Sequence, residues 1–175
     1  MKASGIILFT IAFVVLMTGC GKKVPPIVIS GYTTRDTQGN IPAGGSIDTT
    51  DWGYDDKLPD QVVDYMNSYD LHIDHSESHS GTCANIMAFA NPCTNGFYLN
   101  YSTTCANTYT IAYVVVTKDL FPCQGTSYLS TSSNTTVFVD MSAPSLGRDL
   151  YRVYYRFYDR QGTVFYQGHG DISKQ

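Results

Sequence analysis

The chain is poor in charge. Asp, Glu, Lys and Arg make up 15% of its 175 residues and leave a net charge of −4. There is no basic stripe, so nothing offers the electrostatic footprint that nucleic acid requires. Catalytic signatures are also missing: no Gly-x-Ser-x-Gly elbow, no His-Glu-x-x-His pair and no Gly-rich phosphate loop. Paired acids such as Asp55 and Asp56 are adjacent, point apart and make a poor acid/base couple. The chain therefore reads as non-enzymatic, with no cofactor. No two cysteines have the C-x-x-C spacing of a zinc knuckle. The apolar run over 6–17 is too short to cross a bilayer.

That run has another use. Lys2 precedes it and Thr18, Gly19 and Cys20 follow, which is the layout of a secretory signal ending at small residues and a cysteine. The stretch Met17-Thr18-Gly19-Cys20 resembles the lipobox of bacterial lipoproteins, with Met17 where that motif most often has Leu. The resemblance implies removal of residues 1–19, a diacylglycerol on the Cys20 thiol and a third acyl chain, palmitate-like, on its amine. Each buried methylene is worth roughly 0.8 kcal/mol and one chain binds only marginally, so three chains would hold the protein on a membrane. Neither an Asp nor an acidic cluster follows Cys20. The implied location is the bacterial cell envelope, at the outer membrane facing the periplasm.

What remains suits one domain. Tyr alone contributes 14 residues, and Tyr and Thr favour a pleated, half-buried surface. Residues 20–50 carry Pro25, Pro26, Pro42 and scattered Gly and Ser with little apolar periodicity, which predicts a flexible tether. Residues 24–29 could add an edge strand. Within the tether, Asp48-Thr49-Thr50 resembles a short O-glycosylation motif of Bacteroidota, with Thr49 the acceptor; an Asx turn is the alternative. Residues 51–175 form the predicted β-sandwich domain. Its one helix falls at about 58–68, with Pro59 in the first turn and Val62, Met66 and Tyr69 on one face. It should pack on the rim of a sheet, anchored by Trp52.

Period-two alternation then predicts strands at 85–90, 97–102, 109–117, 136–141, 151–158 and 163–167. Asp159-Arg160-Gln161-Gly162 supplies a hairpin loop between the last two. The fold class is all-β: a small immunoglobulin- or fibronectin-like sandwich, with a small barrel as the alternative. If the first three strands form a meander, Cys83 lies near Cys105 and Cys93 near Cys123. Two disulfides would then each be worth roughly 3 kcal/mol in an oxidising compartment; free thiols are the other reading.

Two candidate sites stand out. His72, His75 and His79 fall within the run Asp70 to His79 and would share a helical face at i, i+3, i+7, enough for zinc or copper. An extended run would part them, and the Ser-rich composition favours a solvated loop. Arg152, Tyr154, Arg156 and Tyr158 share one side of the clearest strand. Exposed, they could stack on sugar rings or dock a protein; cross-strand pairing is the alternative.

Ala90-Asn91-Pro92-Cys93-Thr94-Asn95-Gly96-Phe97 and the strand ending Tyr158-Asp159-Arg160-Gln161-Gly162 look like segments of β-sandwich modules at the C-termini of Bacteroidota secreted proteins. The chain as a whole resembles small envelope lipoproteins of that group. The expected partners are the membrane, through the lipid, and another envelope protein or a glycan.

Overall fold

The computed structural model describes residues 25–75, 81–105 and 108–175. The signal region, Cys20 and His79 lie outside the described residues. Nine elements follow in order: β1 (Gly53–Tyr54), α1 (Asp60–Asn67), β2 (Cys83–Phe89), β3 (Gly96–Thr103), β4 (Tyr109–Val116), β5 (Pro122–Ser130), β6 (Asn134–Asp140), β7 (Leu150–Tyr158) and β8 (Val164–Ser173). They build an all-β sandwich of two antiparallel sheets. One has five strands in the order β1-β8-β7-β4-β5 and the other three in the order β2-β3-β6. In the constant-type immunoglobulin pattern the fourth strand leaves its predecessor for the other sheet. Here β5 stays beside β4, the fibronectin-like variant.

β4 explains the architecture. Its sequence, Tyr109-Thr110-Ile111-Ala112-Tyr113-Val114-Val115-Val116, has no polar face, and all eight residues are buried. A strand of that kind must be covered on both sides. Tyr109, Ile111, Tyr113 and Val115 face the space between the sheets, where they meet Phe97, Leu99, Tyr101, Val153, Tyr155 and Phe157. Ala112, Val114 and Val116 face outward, where Leu58, Val62 and Met66 of the α1 region cover them. The molecule thus has three layers: the three-stranded sheet, the five-stranded sheet and one helix.

This placement corrects the expected meander. β4 does not pair with β3; it crosses to the other sheet, between β5 and β7. The helix appears where its periodicity put it, with Pro59 as its N-cap residue and Val62 and Met66 buried. It lies on the outer face of the five-stranded sheet, against β4 and β5, not on a rim. Trp52 does not anchor it. Its ring stacks on Tyr155, centroids 6.2 Å apart, in the core between the sheets.

The expected tether is mostly docked chain. The Ile27 N–H donates to the Lys118 carbonyl at 2.7 Å, but residues 25–29 form no strand. Thr33 is buried, and its N–H donates to Asp51 Oδ2 at 2.6 Å. Arg35 bridges Asn91, and Asp36 gathers the N–H groups of Gln38 and Asn40 into a tight loop. Pro, Gly and Ser here mark turns held by Asx hydrogen bonds, which composition alone does not separate from a flexible linker. The Asp159 to Gly162 hairpin forms as expected. Asp159 Oδ1 accepts from Gln161 and Thr163, and Gly162 takes a φ of 85°.

Candidate functional site

The predicted ligand face is not a surface. Tyr154 and Tyr158 are 3% and 2% exposed, packed under α1 with Ala112, Val114 and Val116. Alternation along β7 is as expected; the outward side became a second core because β4 beside it is apolar on that side too. Arg152 and Arg156 run along the sheet instead. Arg156 Nε donates to Gln167 Oε1 at 2.9 Å.

Arg152 belongs to a polar seam. It sits opposite Asp171 on β8, and its Nε and Nη2 donate to Oδ1 and Oδ2 at 2.7 and 2.8 Å. Asp51 lies behind that pair and accepts from the Asp171 and Thr33 N–H groups. Burial lifts the Asp51 carboxyl from 3.8 to about 6, against the pull of those hydrogen bonds. Asp48, Asp51 and Asp171 come within 4.8 Å of one another. Both Asp171 oxygens are taken by Arg152 and both Asp51 oxygens by backbone N–H groups. The trio acts as counter-charge to the guanidinium. Asn91, fully buried, completes the seam by donating to the carbonyls of Thr33 and Asp171 and accepting from the Ser173 N–H. It ties the N-terminal segment, the β2–β3 turn and β8 together.

His72 and His75 do not share a helical face. His72 and His75 take positive φ, 52° and 55°, in an irregular strap before β2. His72 Nδ1 lies 3.3 Å from Asp70 Oδ2, and the Asp74 and His75 N–H groups donate to the Arg160 carbonyl. His169, the fourth histidine, pairs with Asp55 at 2.6 Å beside Tyr154. Thr49 lies on an exposed turn in which Asp48 Oδ1 accepts from the N–H and hydroxyl of Thr50.

No disulfide joins the four described cysteines in this structure: Cys83, Cys93 and Cys105 are buried and Cys123 is partly so. Cys83 pairs in register with Thr103, which makes Cys105 its diagonal neighbour. Diagonal pairs sit about 7–8 Å apart, just beyond ordinary disulfide reach. Cys93 and Cys123 lie at one end of the sandwich. Cys93 is hydrogen-bonded to the end of β8, and Cys123 stands near the start of β5. Burial pushes the Cys83 thiol up to about 11 and raises those of Cys93 and Cys123.

The surface feature that sequence reading missed is on the three-stranded sheet. Phe89, Tyr98 and Phe138 are register partners across β2, β3 and β6. All three point away from the core, and their rings touch in a row. Phe89 and Tyr98 are 5.5 Å apart at 27°, and Tyr98 and Phe138 are 5.2 Å apart at 56°. Tyr98 and Phe138 are 43% and 51% exposed. Phe138 lies across Gly96, where an added Cβ would fall 2.6 Å from the ring. The loop over 36–40 stands against Phe89, with Gly39 in contact range of that ring and of Met87. Beyond the aromatic row come Met87, Asn100 and Thr136, then Asn85, Ser102 and Asn134. Tyr98 alternates with Phe97 and Leu99, so its outward direction was legible. Its neighbours were not, since they depend on β6 returning to β3.

No protein-family model matches the chain, and no curated protein compared with it matches.

Proposed function

We propose that this is an envelope lipoprotein, anchored through lipid on Cys20, whose non-enzymatic sandwich binds another envelope component through the outer face of its three-stranded sheet. The observation that carries this reading is the ring row Phe89, Tyr98 and Phe138, in which Tyr98 and Phe138 are exposed. The outer face of β4 and β5 is covered by α1, whereas this one presents the Tyr98 and Phe138 rings to solvent beside a half-buried Phe89. Clustered exposed aromatics of this kind mark binding surfaces.

The chain also limits how far the domain stands from its anchor. Ile27 is already hydrogen-bonded to the domain at Lys118. It is seven residue steps from Cys20, so the leash reaches about 24 Å at most. The β4–β5 end would face the bilayer, with the outer membrane's periplasmic leaflet as the proposed location. In that oxidising compartment Cys83–Cys105 and Cys93–Cys123 remain the proposed pairs.

A photo-crosslinking residue placed at Tyr98 in cells tests the binding face, with Leu129, exposed on β5, as the control position. An adduct from position 98 and none from 129 is the expected result. Equal adducts, or none from 98, would overturn the assignment of the face.

A further inference from the structure

The chemistry of that face goes further and names its occupant; the inference rests on the binding reading just given. We infer that the outer face of β2, β3 and β6 is a platform for a neutral glycan chain, laid across the strands along Phe89, Tyr98 and Phe138.

Three features carry it. The first is the row itself. Adjacent strands lie about 4.8 Å apart, so register-matched rings repeat at that step, and the centroids sit at 5.5 and 5.2 Å. Sugar rings offer C–H faces to such a row, and Tyr and Phe bring large stacking area with little rotamer freedom to lose.

The second is what borders the row. The next rungs are amides and hydroxyls: Asn100 and Thr136 beside Met87, then Asn85, Ser102 and Asn134. Asn100 Nδ2 donates to Thr136 Oγ1 at 2.8 Å. That bond fixes the amide while the Thr136 hydroxyl keeps its own hydrogen to donate outward. Neutral donors and acceptors beside apolar rings match the edges and faces of a sugar, and both are in place before a ligand arrives. The loop over 36–40, closed by the Asp36 carboxylate on two N–H groups, adds a polar wall at the Phe89 end.

The third is charge. No Lys or Arg occupies an outward position of the three strands, and Asp140 is the one ionised group there. An anionic lipid surface or a phosphorylated or acidic polymer would meet no cation on the strands, and Arg35 at the bordering loop is engaged by the Gly39 carbonyl. Protein hot spots draw heavily on Arg, and the three strands carry none.

The test uses the whole mature lipoprotein in a polyoxyethylene detergent, which brings no sugar headgroup. Retention is measured on insoluble cellulose, chitin, mannan and starch, for the native protein and for Tyr98→Ala, Phe138→Ala and Tyr98→Phe. Urea midpoints confirm that each variant is folded. Retention on at least one neutral polysaccharide is expected. Each alanine variant should bind about tenfold more weakly, the cost of losing one stacked ring at about 1.4 kcal/mol, and Tyr98→Phe should bind as the native protein does. No retention on any polysaccharide, or unchanged retention for Tyr98→Ala, overturns the inference. A protein adduct from position 98 without polysaccharide retention would remove the glycan and leave the binding face standing. A dimer in sedimentation that Tyr98→Ala dissolves would instead assign the face to a second copy of the chain. Neither retention nor adduct would remove both.

Discussion

Arg152 and Asp171 stand directly opposite on β7 and β8 and close a two-pronged ion pair, with side chains 13% and 1% exposed. The N-terminal segment is assembled around it: Arg152 Nη2 also donates to the Val28 carbonyl, and the Asp171 N–H donates to Asp51.

Breaking that pair should be costly, because one partner would remain as an uncompensated buried charge. Arg152→Ala is expected to lose about 3–5 kcal/mol of stability, read as a lower urea midpoint. Arg152→Met with Asp171→Leu together should recover much of the loss, since no charge is then stranded. A double variant as unstable as Arg152→Ala would show that the seam stabilises through its geometry and not through charge balance.

Asp51 sets a pH dependence with a definite sign. Its carboxyl is lifted from 3.8 to about 6 by burial. The folded protein therefore holds a proton that the unfolded chain has released, and Asp51 makes stability fall as pH rises between about 4 and 6. Asp36, Asp48 and Asp140 have lowered values, so their contributions are complete above about pH 4 and are lost only below it. Urea midpoints at pH 4.5 and 6.5 should differ more in the native protein than in Asp51→Asn. Identical slopes would contradict the assignment.

Gly170 lies under the Trp52 indole, and a Cβ there would overlap the ring. Gly170→Ala should cost about 1–3 kcal/mol through overpacking. Trp52 is the one tryptophan in the chain, so its emission reports the change directly. A red-shifted spectrum in the folded variant is expected; an unmoved spectrum would mean that the strand shifts and the ring stays.

Met66 is fully buried between α1 and the outer side of β4 and β7. Met66→Ala should lose about 2–5 kcal/mol, measured by urea unfolding. The same substitution should leave retention on polysaccharide unchanged while the protein stays folded, because the helix covers the sheet opposite the aromatic row.

Much of the fold was legible because period two is a strong signal when one side of a strand is buried. Phe97, Leu99 and Tyr101 turn inward, and so do Tyr151, Val153, Tyr155 and Phe157. The run 109–116 held the harder clue. A strand apolar on both sides needs two covers, which placed the helix on its outer face and buried Tyr154 and Tyr158. Read strand by strand, β7 looked half exposed. β5 escaped notice because Pro122, Gly125 and its Ser and Thr residues resemble a loop, and an edge strand buries too little to demand alternation. The second half of β8 was hidden by Gly168 and Gly170, which make room for neighbouring groups and so break the apolar pattern. The aromatic row was out of reach for another reason: each ring is visible in its own strand, but only the β3–β6 pairing makes them one surface.

Location, orientation and partner all turn on Cys20, and intact mass measures it directly. Protein is taken from native membranes and weighed with and without reduction and alkylation. A chain beginning at Cys20 with three acyl chains is the predicted result, with four further cysteines that alkylate only after reduction. A chain that keeps residues 1–19, or one that begins elsewhere without lipid, would contradict membrane anchoring and return the sandwich to a soluble setting.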